Sequence, residues 1–386
     1  MTRFLRTTVL LALTICSSAA LFNYLADPYS IYQYTGANAD QLSRVEQFYH
    51  MRLSKPWQVA QLKPNAVIVG TSRSGSMRPE HSSWSEDTGY NLSIPGMTPY
   101  ELLRFVHHAQ ANGPLDKLML GLDFEAFINS EPHSRAGFAE FRLRREPGPV
   151  ESLQSQLQLA VDLANTLFSM PALAQSLTAT TGAARPGRRY YPDGSWEKTS
   201  ATLTGRKGYL WVGRTYRERS VDLKANMDQL AELLSFCHQQ GIETRLFVTP
   251  EHVFLLKLWQ QIGYAELWQE FHRQLVAVNE IVAETEGKPA FPLWGFNQLA
   301  GVVDEPILPR AKSRESNFLD GIHFRNQLAT TIMDSAWSDS PVAGVNIDSK
   351  NLEDYLTQVQ ELTAAFEQRY PRLNAELREE IGSPER

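Results

Sequence analysis

Two cysteines, Cys16 and Cys237, are all that the 386 residues contain. That excludes a disulfide framework and any zinc site built from four cysteines. Basic charge is also in short supply. Lys and Arg number 37 against 43 Asp and Glu, a net charge of −6, which argues against general nucleic-acid binding, since that needs a basic surface. No internal repeat is present, and Ile15 ahead of Cys16 is too large for a lipoprotein box. What remains is an ordinary globular composition, 42% hydrophobic and 21% charged. A chain of this length fits one large elaborated domain, or one domain with a smaller insertion.

The N-terminus bears on location. Arg3 and Arg6 precede an apolar run from Thr7 to Leu25, and the next basic residue is Arg44. The run is close to the ~20 residues a spanning helix needs, and the basic bias places the N-terminus inside and the body outside. Ser18-Ala19-Ala20 would also serve as a signal-peptide cleavage site, so the run reads either as a retained anchor or as a cleaved leader. Both readings export the body of the chain.

Further on, a helix-like stretch ends at Lys63-Pro64, and Asn65 to Val69 has the short, β-branched, turn-bounded form of a buried strand. Tyr90 to Ile94 reads as a second strand. Thr98-Pro99-Tyr100-Glu101 reads as a capped helix start, and Leu118 to Leu122 as a third strand. This strand–helix–strand order predicts a parallel, helix-covered sheet. Asn129 to Ser220 interrupts the rhythm with a helical stretch from about Val150 to Leu177 and a Gly/Pro/Arg-rich run from Gly182 to Gly194. An interruption this long predicts a lid or insertion over the carboxyl edge of the sheet. Alternation then resumes: helix from Leu223 to His238, strand from Thr244 to Val248, helix from Tyr264 to Ala283, strand near Phe291 to Trp294, helix from Phe324 to Trp337. Leu352 to Tyr370 carries apolar residues at helical spacing and reads as a packing helix.

The chemistry concentrates at two places. Gly70-Thr71-Ser72-Arg73 presents a serine just past the first strand, where open α/β sheets place their ligands, and Asp320-Gly-Ile-His323 offers a carboxylate and an imidazole. A serine hydroxyl needs a base, and the base needs a group that fixes its tautomer. Ser72, His323 and Asp320 supply those parts in the chain order Ser…Asp…His.

The blocks Gly70-Thr71-Ser72-Arg73, Asn91 to Gly96, Gly121-Leu122-Asp123 and Asp320-Gly321-Ile322-His323 resemble the successive motifs of the SGNH (GDSL-like) hydrolase superfamily. With the anchor followed by Asp27-Pro28-Tyr29, the resemblance narrows to the membrane-anchored bacterial branch that works with membrane-bound O-acyltransferases on cell-surface polymers. It covers about Asn65 to Asp123 and Asn317 to Trp337. It implies Ser72 as nucleophile, His323 as general base and then acid, and Asp320 as its orienter. The Ser72 and Gly96 N–H groups would face the oxyanion. The family's third donor is an asparagine, and this chain has Asp123 there, which cannot donate as a carboxylate. Asn91 either substitutes for it or is a turn residue.

The resemblance implies an α/β fold, a three-layer parallel sheet of flavodoxin-like type flanked by helices, spanning about 63–345 with an insertion at 129–220. An anchor or signal segment at 1–26 precedes it, and a helix and tail at 346–386 follow. The implied activity is O-acyl transfer, most simply acetyl, to an extracytoplasmic polysaccharide from an inner-membrane position facing the periplasm. No metal, cofactor or nucleic acid is implied, and a membrane-bound O-acyltransferase is the implied partner. A carbohydrate esterase and a non-catalytic polymer-binding subunit are the rival readings.

Other candidates stand beside these. Arg73 either binds an anionic substrate group or pairs with a carboxylate. Arg188 and Arg189, with Arg185, Arg206 and Lys207, form either a grip for an acidic sugar polymer or a solvated basic loop. Trp196, Tyr209 and Trp211 suit sugar stacking or core packing. His252 lies where a site would form, or caps a helix. His107 and His108 are adjacent on one helix and do not share a face, which speaks against a metal site.

Overall fold

The structure is a computed structural model and describes residues 2–32, 49–128, 133–144, 152–181, 188–198, 215–216, 221, 223–305, 316–338 and 340–382. Its first element is helix α1 (Thr2–Ala26), the one described helix long and apolar enough to cross a membrane or to serve as a signal sequence. Helix α2 (Met51–Leu62) leads into β1 (Ala66–Val69), whose four residues are all buried, as a strand flanked by neighbours on both sides requires. Then come β2 (Gly89–Asn91), α3 (Pro99–Asn112), β3 (Lys117–Leu122) and the single-turn α4 (Phe124–Phe127). The start of α3 is the expected capping box: Thr98 accepts from the Glu101 N–H, and Glu101 accepts from the Thr98 N–H.

The interruption holds α5 (Leu153–Phe168), α6 (Met170–Thr181) and a hairpin of β4 (Arg188–Tyr190) and β5 (Trp196–Lys198). The single helix expected over Val150 to Leu177 is therefore two, broken at Ser169 ahead of Pro171. The second half contributes α7 (Leu223–Gln240), β6 (Glu243–Val248), α8 (Val253–Gln261), α9 (Ala265–Glu286), β7 (Leu293–Gly295) and α10 (Asn326–Trp337). The chain closes with β8 (Val345–Asn346), α11 (Leu352–Arg369) and α12 (Pro371–Gly382).

The main sheet runs β2-β1-β3-β6-β7-β8, parallel throughout except for the antiparallel edge strand β8. Strand order reverses beside β1, the switch point at which α/β sheets bind ligands. Helices α3, α7 and α9 pack side by side, while α10 lies against β6. One apolar core runs through all of this. Helix α11 belongs to it: Leu352, Tyr355, Val359 and Phe366 are buried in the same cluster as the central strands, so the C-terminal helix is integral to the domain.

The interruption splits in two directions. Its hairpin reaches the carboxyl edge of the sheet, where β5 packs on the Ser74–Ser76 turn after β1. Helices α5 and α6 instead pack against α1. Among the described residues of the interruption, the hairpin is the part that packs on the turn after β1.

Candidate active site

The serine turn is built from below. Leu92 and Ile94 donate to the Ile68 and Gly70 carbonyls, carrying the β1–β2 pairing past the strand end. The chain then turns sharply through Ser72, and the Gly75 N–H returns to the Ser72 carbonyl at 3.4 Å. The turn needs glycines where it presses on its neighbours. A Cβ on Gly75 would strike the Trp196 ring, and one on Gly121 would strike Ser74 and Phe247.

The opposing wall is a short β-like loop. Phe318 bridges Phe324, the Leu319 N–H donates to the His323 carbonyl at 2.8 Å, and the Arg325 N–H donates to the Asn317 carbonyl at 2.7 Å. Glu305 holds its base by accepting from the Asn317 and Phe318 N–H groups. At the tip, Asp320 accepts from the Ile322 and His323 N–H groups at 3.0 and 2.8 Å.

The two halves meet. Ser72 Oγ lies 2.9 Å from His323 Nε2, and His323 Nδ1 lies 2.8 and 3.0 Å from the two Asp320 oxygens. Asp320 is 6% exposed, so its charge acts largely on the imidazole. This geometry assigns the Nδ1–H to Asp320 and leaves Nε2 to accept from the serine hydroxyl. The cleft over the pair has a volume of about 240 Å³, with Ser72, Ser76, Trp196, Glu197, His323 and Arg325 in its lining.

Five of the sequence candidates, Asn91, Gly96, Arg73, Arg188 and Arg189, are not in the cleft lining. Asn91 does not face the cleft as an oxyanion donor. It is fully buried and gives its amide N–H groups to the Ser74 and Met77 carbonyls, each at 2.8 Å, which ties down the serine turn from beneath. Gly96 sits in a left-handed turn after β2, at φ +63°, with its carbonyl accepting from Arg135, and it is not among the cleft-lining residues.

Arg73 does not bind substrate. It is 1% exposed and turns inward to Asp123 at 3.3 Å, Glu125 at 2.5 Å and Glu251 at 3.0 Å. A cation surrounded by three carboxylates inside the protein has no capacity left for a ligand. Burial works against its charge, and Glu125, Asp123 and Glu251 together outweigh that and hold it firmly protonated. Asp123, at the position of the family's asparagine, is spent on this network and on the Thr249 hydroxyl at 2.6 Å.

The basic residues of the insertion are also displaced from the cleft. Arg188 and Arg189 lie on β4, the outer strand, and the wall is supplied by Trp196 and Glu197 of β5, which packs on the serine turn. Arg185, Arg206, Lys207, Tyr209 and Trp211 lie outside the described residues. His252 caps α8 from a buried position, accepting from the Phe254 N–H.

Two residues on no list of candidates support the site. Glu197 accepts from the Tyr191 hydroxyl and from Asn326 Nδ2. Lys55, 3% exposed, donates to the carbonyls of Asn91, Ser93 and Gly194 at 2.6, 2.9 and 2.9 Å, joining the insertion hairpin to β2. Burial draws its ammonium down to about 7, against the pull of Asp193. Nothing local in the sequence marks such a lysine, because its partners are backbone oxygens from distant segments. Lys55→Met leaves those three carbonyls without their donor, a loss of about 2–4 kcal/mol. The first visible effect should be faster proteolysis of the 188–198 hairpin than of the rest of the chain. Equal protease resistance in the variant would remove Lys55 from this role.

The interior also sets an acid limit. His108, His252 and His272 are buried, and burial holds each at about 4. Each is held as the neutral ring, donating to the carbonyls of Pro56, Glu305 and Trp268 respectively. Between about pH 6.5 and 4.5 the unfolded chain takes up three protons that the folded one refuses. In the other direction, burial raises Glu125 to about 7 and raises Glu251 as well, so the folded chain keeps one or two protons that the unfolded one releases. The unfolded state still binds more, so stability falls with pH across this window, by roughly 2–3 kcal/mol per net proton over two pH units. Urea midpoints at pH 7 and pH 5 measure it; a midpoint that rises on acidification would contradict this charge balance.

No protein-family model matches this chain, and no curated protein does either.

Proposed function

We propose that this protein is a serine-dependent acyl-transfer enzyme, exported and anchored by α1, that carries an acyl group on Ser72 and passes it to a hydroxyl of a polysaccharide outside the cytoplasm. The observation that carries this reading is the hydrogen-bonded chain Ser72–His323–Asp320 opening onto a cleft at the switch point of a parallel sheet. Attack by Ser72 Oγ on an ester carbonyl passes its proton to His323 Nε2, and the alcohol leaves with that proton. The acceptor hydroxyl then repeats the exchange in reverse and regenerates Ser72. The sequence resemblance to SGNH enzymes supplies the polymer, the inner-membrane setting and the membrane-bound O-acyltransferase as donor partner.

One observation favours a second reading, a polymer-binding subunit without turnover. With Asn91 committed to carbonyls and Asp123 to Arg73, neither offers a side-chain N–H to an oxyanion. The test is direct. The full chain is treated with an activated acetyl ester and then with a hydroxyl-rich oligosaccharide. The expected result is an acetyl group on Ser72 by peptide mass analysis, followed by acetylated oligosaccharide. Acyl-Ser72 that discharges only to water establishes the esterase instead, and no acylation under any condition establishes the binding subunit.

A further inference from the structure

Arg325 is anomalous among the buried and half-buried arginines. Arg73, Arg78 and Arg104 each have a carboxylate within 3.3 Å. Arg325 makes no ion pair among the described residues, and its Nε is buried without a hydrogen-bond partner. Its carboxylate neighbours are engaged elsewhere: Glu197 with Tyr191 and Asn326, Asp320 with His323, Glu305 with the Asn317 and Phe318 N–H groups. Burial costs its guanidinium more than the field of Glu305, Asp320 and Glu197 returns. Arg325 lies two residues beyond His323 on the extended segment that enters α10, and both line the cleft with Ser72.

We propose that Arg325 is the subsite for an anionic group of the substrate, a carboxylate or phosphate carried by the unit next to the reacting hydroxyl. A guanidinium fork matches either group. This deepens the acyl-transfer reading and rests on it for the identity of the reacting group, but binding can be read without turnover. Titration calorimetry on the full chain should show an oligogalacturonate binding about 10- to 100-fold more tightly than a neutral maltooligosaccharide, the range of one charged hydrogen-bonded contact. Arg325→Gln should abolish that preference and Arg325→Lys restore part of it. A polyglycerol phosphate in place of the uronate distinguishes a phosphate ligand from a carboxylate one. Equal affinity for charged and neutral oligomers overturns the proposal. So does an Arg325→Gln protein that keeps its anion preference but loses cleavage of a neutral aryl acetate, since Arg325 would then serve the oxyanion. Anion binding without Ser72 acylation fails the enzymatic reading alone, and acylation without anion binding fails this subsite alone.

A separate observation concerns α5 and α6. From Leu153 to Thr181 the chain carries a single charge, Asp162, and that is paired with Arg142. Leu153, Leu157, Val161 and Phe168 form one stripe along α5 and are 59–73% exposed; Met170 and Leu177 of α6 are exposed as well. A soluble domain rarely leaves such a face open to water. The buried side of α6 is the small-residue series Ala172, Ser176 and Ala179. Both helices pack against α1, whose buried and half-buried positions are confined to its last turns, and Asn23 donates to the Leu167 carbonyl at 2.7 Å.

We infer that α5 and α6 lie in the bilayer beside the end of α1, in the leaflet that meets the folded domain. Continuity with the apolar surface of α1 selects lipid as the occupant. The test is spin labelling of the full chain with Cys16→Ser, reconstituted in phosphatidylethanolamine–phosphatidylglycerol nanodiscs. Labels at Leu157→Cys, Val161→Cys and Phe168→Cys should collide with oxygen and be shielded from a water-soluble nickel chelate. A label at Lys224→Cys, 84% exposed on α7, should show the reverse. Nickel access at the three positions equal to that at 224 overturns the inference, and so does shielding from both reagents, which would mean a second copy of the chain covers the stripe.

Discussion

Ser72→Ala will abolish labelling by a fluorophosphonate and lower cleavage of an activated acetyl ester on the order of 10³-fold or more. On the proposed acyl-transfer reading, the size follows from the three side chains acting as one unit. Among the described residues, the base in reach of Ser72 Oγ is His323 Nε2 at 2.9 Å, and Asp320 orients that base. Without the hydroxyl there is no covalent intermediate, and only binding and backbone donors remain to help water. His323→Ala should cost about as much as Ser72→Ala, and the double variant little more than either, because removing any one member already disables the unit. Asp320→Asn should keep the fold and the cleft but present the wrong tautomer at Nε2, a loss that reaches about 10⁴ where this arrangement has been measured. Labelling that persists in Ser72→Ala, in protein with an unchanged circular dichroism spectrum, would move the nucleophile elsewhere and end the reading.

How much of this was legible beforehand depended on whether the signal was local. Strands β1, β3 and β6 announce themselves as short apolar runs between turn residues, and all three are central and buried on both faces. The α3 start reads from four consecutive residues because a capping box is a contact within one turn. Ser72, Asp320 and His323 could be picked out because each half of the site is a compact motif. The two-residue edge strand β8 and the hairpin strands β4 and β5 could not: β8 is too short to carry a period, and β4 and β5 read Arg-Arg-Tyr and Trp-Glu-Lys, with no apolar run to mark them.

The misplaced side chains share a different cause. Arg73 and Asn91 sit beside the motifs, and proximity in sequence suggests proximity to substrate. Side chains that follow a strand into a turn alternate between the cleft and the interior, however. Ser72 takes the outward position and Arg73 the inward one, where Asp123 and Glu251, from the ends of two neighbouring strands, meet it. The sequence offers a cation and the acids but not the strand order that brings them together.

That inward cluster yields the largest expected effect on stability. Arg73→Met should cost about 3–5 kcal/mol, because it leaves Asp123 and Glu251 buried, and Glu125 half-buried beside them, with no cation among them. The side chain keeps its bulk, so the loss is electrostatic and should be visible as a lower urea midpoint at unchanged slope. Glu251 retains Trp268 Nε1 at 2.8 Å and Asp123 retains Thr249; two neutral donors do not replace a shared guanidinium. Two further measurements separate this account from simple loss of packing. Adding Glu251→Gln and Glu125→Gln to Arg73→Met should recover part of the stability, since the charges to be compensated are gone. In the Arg73→Met protein Glu125 and Glu251, already raised by burial, are pushed further above their unfolded values, so their contribution is retained at acid pH and lost as the pH rises. The deficit relative to wild type should therefore shrink from pH 8 to pH 5, even though wild type itself loses stability over part of that range through its buried histidines. A deficit that stays constant with pH, or one below about 1 kcal/mol, would mean that Arg73 is not the counter-charge of this cluster.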